Sequence, residues 1–382
     1  MVKHCFLYSV IKQVFSWICF VMVRTRTWKR TDIIPQLHSK ESSLTKHLIR
    51  RRGLLNRPFQ PPFVLNNGYI QTFAGLLFKP VENYQFDREY LQIDDKGIVA
   101  LDWFKQSTTK LKRNSPVILI FPRLTGDAVS VGNICKLGSS RGMRAVVFNR
   151  RGHGSSFLLS SNLTSIGDTK DTRKVIEYIF SKYPYVQIVG IGIGAGSATL
   201  FSYLGEFGSS SLMKAAVNIS PSYDNTERLC EQIPKLYELY LLLDLKIMLI
   251  RHWKALNKVI DIKAAVLRAW SLKEFDYQVY CKMYGIETFE AFWQRNDPMR
   301  DVDDIAVPVL CINSLDDPVS VKDDIPFDLF EFYPNLLLVT VEKGGHCAFY
   351  ENVRGESWVN TLAINYIEHV LEFISNSKFW RR

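Results

Sequence analysis

At 382 residues, 47% hydrophobic and 13% aromatic, the chain holds enough apolar material for a sizeable core, which excludes a disordered protein and fits one large domain or two. Its seven cysteines (Cys5, Cys19, Cys135, Cys230, Cys281, Cys311 and Cys347) show no pairing rhythm and no C-x-x-C, which argues against a disulfide framework or zinc site and for a reducing compartment. The net charge of +10 sits in residues 1–60, with 12 Lys/Arg against 2 Asp/Glu, while the rest is balanced at 36 each. So local an excess points to an anionic membrane surface rather than to nucleic acid, for which no motif is present.

Residues 5–23, CFLYSVIKQVFSWICFVMV, form an apolar stretch about long enough to span a bilayer. Ser9, Lys12, Gln13 and Ser16 fall at i, i+3, i+4 and i+7, a polar stripe that suits an interfacial helix or a spanning helix with one face turned from lipid. Arg24, Arg26, Lys29 and Arg30 follow, which by the positive-inside rule hold the downstream chain in the cytoplasm. The expectation is a membrane-associated segment at 1–30 and a basic linker and lead-in at 31–86, carrying the cluster Lys46, Arg50, Arg51 and Arg52. The rival is a cleaved signal peptide and a secreted protein, against which Lys12 interrupts the apolar run.

From about residue 87 to 382 the pattern is α/β. EYLQI and IVALDWF flank the turn Asp94-Asp95-Lys96-Gly97 and predict a hairpin. Pro116–Phe121 and Ala145–Asn149 read as buried strands with a helix between them, and a helix from near Asp168 to Lys182 leads to the strand at Val186–Ile191. Lys214–Ser220 is the next strand. Residues 222–303 break the rhythm with a long helical stretch rich in Leu, Tyr and Trp, which reads as an inserted cap. Strands resume at Val307–Asn313 and Leu336–Val341, and a helix from Trp358 to Ser375 closes the chain. The alternation predicts a mostly parallel central sheet with right-handed crossovers, flanked by helices.

The stretch 186–200, VQIVGIGIGAGSATL, places a glycine cluster between a buried strand and a helix start. This is the context of the nucleophile elbow of the α/β-hydrolase fold, whose consensus is G-x-S-x-G. In that frame the five residues are Gly192, Ile193, Gly194, Ala195 and Gly196, so Gly194 stands where the serine belongs. A serine at that corner is strained by φ > 0, whereas glycine is not; the substitution relaxes the backbone and removes the nucleophile. A plain Gly-rich strand–helix turn is the competing reading.

Asp317, in Asn313-Ser-Leu-Asp-Asp-Pro, follows a strand where the triad acid belongs, and His346, in Gly344-Gly-His, follows the last strand where the base belongs. The oxyanion hole is expected from the backbone N–H groups of Ala195 and Leu124. Arg123 stands where a small residue is usual and either binds an anionic ligand or blocks the pocket. Ser140, in Gly138-Ser-Ser-Arg-Gly142, matches the pattern in the reverse context, helix before strand, and Ser197 lies in the first helical turn, so neither replaces the nucleophile. Cys347 reads as packing in preference to a replacement thiol, and His153 as shaping its turn. No metal site or cofactor is expected.

From about Phe63 onward the chain resembles the α/β-hydrolase 4 family, which holds the bacterial YheT-type esterases and several membrane-tethered lipid hydrolases. The matching stretches are Gly68-Tyr-Ile-Gln-Thr72, Leu124-Thr-Gly126, Asn149-Arg-Arg-Gly152, Tyr203-Leu-Gly205, Arg295-Asn-Asp-Pro298, Pro308–Pro318 and Gly344–Phe349. Active members use Ser, Asp and His; Asp317 and His346 carry over and the serine does not. The resemblance implies a role in lipid metabolism, with a lipid or acyl-ester ligand, a membrane contact through the N-terminal segment and an unidentified protein partner. The expectation is a pseudo-hydrolase at a membrane such as the endoplasmic reticulum, with its domain in the cytosol. The alternative is an active carboxylic-ester or acylglycerol hydrolase in which His346–Asp317 serves a non-standard nucleophile.

Overall fold

Along Val117–Phe121 the side chains alternate between two cores: Ile118 and Ile120 enter one, Val117, Leu119 and Phe121 the other. A strand buried on both faces needs helices on each side, and such strands read as continuous apolar runs. The computed structural model describes residues 32–50, 57–77, 82–105, 111–223, 232–352 and 354–376. The stretch 5–23, its following basic residues, Arg51 and Arg52 lie outside them. Among the described residues no helix is long and apolar enough to cross a membrane.

Nine strands form one sheet: β1 (Gln36–Ser39), β2 (Phe86–Gln92), β3 (Ile98–Phe104), β4 (Val117–Phe121), β5 (Arg144–Asn149), β6 (Ile188–Ile193), β7 (Met213–Ile219), β8 (Val309–Ser314) and β9 (Leu336–Val341). The order is β1-β9-β8-β7-β6-β4-β5-β3-β2, parallel from β5 to β9 and antiparallel at both edges. One core lies against helices α1 (Ser43–Arg50), α3 (Gly132–Ser140) and α11 (Trp358–Asn376). The other lies against α4 (Lys170–Lys182), α5 (Ala195–Phe207) and α10 (Phe327–Phe332).

Part of the lead-in is not a linker. β1 pairs antiparallel with β9, placing Leu37 opposite Val339, and α1 buries Leu44 and Leu48. Phe59 is fully buried, its ring 5.8 Å from that of Trp358. The helix α2 (Gly68–Leu77) then reaches the carboxyl ends of the strands, so the folded unit begins well before residue 87. Of the second basic cluster, Lys46 pairs with Glu41 at 2.7 Å and Arg50 is exposed.

Above those carboxyl ends sits the inserted helical unit, α6 (Lys235–Arg251), α7 (Ile262–Arg268), α8 (Leu272–Asp276) and α9 (Phe289–Asn296), with a π turn at Tyr277–Cys281 after α8. It has its own core, in which Leu242, Leu249, Phe275, Val279 and Phe292 are buried. That is the cap.

Candidate active site

The turn after β6 is tight for steric reasons. A Cβ on Gly196 would lie 2.1 Å from the Phe121 carbonyl oxygen, and one on Gly192 would lie 2.5 Å from Ser197 Cα. Glycines at both positions let α5 start directly against β4 and β6. Between them Gly194 takes φ +53° and ψ −118°, its N–H bonded to Ile219 O at 2.9 Å and its carbonyl accepting from Ser197 N at 2.9 Å. An L-residue adopts this conformation only under strain. The corner is that of an exposed nucleophile, and a hydrogen atom stands where the side chain would be.

Four other strand ends, those of β4, β7, β8 and β9, bring residues to this corner, as open parallel sheets do at the carboxyl edge. Asp317 follows β8; its Oδ1 accepts from Val319 N at 2.7 Å and Ser320 N at 3.0 Å. Its Oδ2 lies 2.9 Å from His346 Nδ1, after β9. The His346 backbone N–H donates to Thr72 Oγ1 at 2.8 Å, and Thr72 in turn donates to Gly68 O at 2.7 Å, so α2 locks the histidine loop. Burial would depress the imidazole, but the Asp317 carboxylate, with Cys347 and Tyr237 beside it, outweighs this and holds His346 well above the ordinary histidine value. The Tyr237 ring of the cap meets the imidazole edge-on, with centroids 6.0 Å apart.

An ideal Cβ on Gly194 would stand 3.2 Å from His346 Nε2 and 3.1 Å from Cys347 Sγ. The base therefore points at the missing side chain, and the thiol flanks the same point. Cys347 takes φ +61°, donates its N–H to Ser220 Oγ at 3.0 Å, and packs on the sheet core without lining the cavity.

Ala195 opens α5, so its N–H lies in the first turn, which has no intrahelical acceptor. Leu124 lines the cavity, and its carbonyl accepts from Arg150 Nη2 at 3.1 Å, which ties down the loop after β4. Arg123 bends over the corner: its Cγ would be 3.7 Å from a Gly194 Cβ, and its Nη1 donates to Gly75 O at 2.8 Å. Among the described residues no carboxylate pairs with it. Between corner and cap lies a cavity of about 160 Å³. Leu241, Leu245, Phe275 and Trp293 form its apolar wall, with Arg123, Ala195 and His346 at one end.

The remaining sequence candidates fall elsewhere. Ser140 ends α3, exposed, donating to Leu137 O at 2.7 Å. Ser197 is fully buried and turned to Ile219 O at 3.4 Å. His153 shapes its loop through Nδ1 and Arg151 O, 2.9 Å apart, and burial pushes its pKa down to about 3. No group of three or more His, Cys, Asp or Glu among the described residues could hold a metal ion.

Three site residues had no sequence signal. Ser220 ends β7 at φ +47°, fully buried and lining the cavity. Asp276, at the end of α8, faces the cavity, where burial pushes its carboxyl up to about 7. Tyr237 reaches His346 from the cap. Thr72 lies within the motif stretch Gly68–Thr72, and its role, holding the His346 backbone, comes from its tertiary contact alone.

A family profile described as alpha/beta hydrolase fold matches residues 116–353. This chain belongs to the α/β-hydrolase family. It is 35% identical over 316 residues to human Protein ABHD15, covering 80% of this chain and 67% of that protein. It is 30% identical to bovine Phospholipase ABHD3, covering 88% and 85%, and 22% identical to human Monoacylglycerol lipase ABHD2, covering 94% and 91%. Relatives named for lipid substrates thus span most of this chain, in keeping with the α/β-hydrolase 4 resemblance.

Proposed function

We propose that this chain is a non-hydrolytic, lipid-binding member of the α/β-hydrolase family that acts in lipid metabolism by binding rather than by turnover. The observation that carries this reading is Gly194 at the elbow corner, in front of an otherwise assembled His346–Asp317 pair. A triad without its nucleophile retains only the residual rate of its oxyanion hole and binding contacts, roughly 10³–10⁴-fold over water. The apolar wall of the cavity suits a short segment of an acyl chain, and Arg123 and a protonated His346 at its end favour an anionic head. The lipid class follows the relatives named as a phospholipase and a monoacylglycerol lipase. Residues 5–23 are the proposed membrane tether, with the domain on the cytosolic side, and deleting 1–30 should weaken membrane association.

The test is purified full-length protein treated with a fluorophosphonate probe, alongside binding of a fluorescent long-chain fatty acid. The reading expects saturable binding and no adduct. A second reading, hydrolysis through another nucleophile, draws on the intact 2.9 Å His346–Asp317 contact. Its signature is ester turnover abolished by His346→Ala, or a probe adduct on Ser220 or Cys347.

A further inference from the structure

The cap helix α6 is apolar on both sides. Its inner face sends Tyr237, Leu241 and Leu245 to the cavity. Its outer face leaves Leu236, Leu239, Leu243, Ile247 and Ile250 exposed, at 72%, 40%, 39%, 54% and 49%. At 3.6 residues per turn these five lie within an arc of about 80°. A helix that carries an apolar stripe on its outer face as well as on its inner one leaves that outer stripe to be covered by protein or lipid.

The stripe continues onto its neighbours. Trp270, 70% exposed, lies beside α6 with Lys246 Nζ 4.6 Å from its ring centroid, and Leu267 and Trp253 are exposed on the same short stretch of chain. Soluble surfaces seldom carry so many large apolar side chains together unless something covers them.

Charge decides what covers it. Between residues 235 and 270 there are seven Lys/Arg and three Asp/Glu. Glu238 is buried, accepting from Leu272 N at 2.9 Å, and Asp261 is spent as the cap of α7, accepting from Ala264 N at 3.0 Å. Asp244 is half-buried and Lys235 pairs with Glu238 at 3.1 Å, while Arg251, Lys254, Lys258, Lys263 and Arg268 are exposed on the same stretch of chain as the apolar residues. A second copy would set this positive rim against itself. An anionic bilayer satisfies both features, with the aliphatic stripe and tryptophans at the acyl boundary and the cations among phosphates.

We infer that the outer face of α6, with Trp253, Leu267 and Trp270, docks on anionic phospholipid bilayers, which sets the roof of the cavity against the membrane. This holds whether or not Gly194 has ended catalysis, and it is separate from any tether at residues 5–23.

The experiment incubates full-length protein with phosphatidylcholine vesicles carrying a diazirine-tailed phospholipid, with or without phosphatidylserine, and maps photo-adducts by mass spectrometry. Adducts are expected between residues 236 and 270, about tenfold fewer without phosphatidylserine and about tenfold fewer in Leu243→Glu/Ile247→Glu. Both positions are exposed, so the melting temperature should hold; Trp270→Ser provides a second variant should it not. Adducts confined to other parts of the chain, residues 1–30 included, would overturn the inference and leave a protein partner as the occupant. Cap adducts unchanged by the substitutions and by removal of phosphatidylserine would overturn it as well.

Discussion

His346 Nε2 lies 3.2 Å from where a Cβ on Gly194 would be, closer than most such contacts, so the acid–base pair is aimed at a side chain the sequence does not have. Cys347 Sγ lies 3.1 Å from the same point and does not line the cavity, so it packs beside the corner without standing in for the nucleophile. The surrounding turn is held by contacts that do not involve the nucleophile, which is why its loss leaves the elbow standing.

Those contacts predict a contrast between neighbouring glycines. Gly196→Ala would push a Cβ to 2.1 Å from Phe121 O, a backbone atom of the central strand that cannot step aside. The expected loss is about 3 kcal/mol or more. Gly194→Ala meets the tip of an imidazole and a thiol and should cost about 1–3 kcal/mol, mainly for φ > 0. Urea unfolding of the two variants measures the difference.

Arg123→Leu should separate head-group recognition from chain binding. Its stem passes the corner and its guanidinium, held on Gly75 O, meets no described carboxylate, with the residue lining the cavity beside the apolar wall. Affinity for a long-chain fatty acid should fall about tenfold or more, while affinity for the corresponding alcohol stays the same or rises. Equal losses for both ligands would mean that Arg123 shapes the cavity and does not read the charge.

Asp276 predicts a pH effect. Its carboxyl titrates at about 7 in the fold, against an ordinary 3.8, because burial opposes its charge. Between about pH 4 and 7 the folded state keeps a proton that the unfolded chain has lost, so stability falls as pH rises through this window and levels off above it. Asp276→Asn removes that slope and should gain about 1–2 kcal/mol on wild type between pH 5 and 8, a figure reduced for the carboxyl's opening on the cavity. Anion binding by wild type should weaken over the same range.

The strands β4 to β9 were legible because each is a short apolar run bounded by turn residues, and the pairing of Asp317 with His346 followed from their order after successive strands. β1 was not: Gln36-Leu-His-Ser39 carries no strand signal, and its place is set by β9, some three hundred residues away. The apolar richness of the cap marked it as an insertion. Which of its leucines face the cavity and which face outward depends on where α6 sits over the sheet. Asp276, Tyr237 and Ser220 reach the site through tertiary placement, which no local pattern records.

The central claim is that Gly194 occupies the nucleophile's corner of a site otherwise assembled, and fluorophosphonate labelling of Gly194→Ser tests it most directly. The serine oxygen, one bond beyond the Cβ, would reach His346 with the Ala195 and Leu124 N–H groups nearby. Because His346 is held well above its ordinary pKa, labelling should strengthen as pH rises and frees the base. The account predicts an adduct on residue 194 that wild type lacks and that Gly194→Ser/His346→Ala abolishes. No adduct, even with Arg123→Gly added to clear the approach, would contradict it.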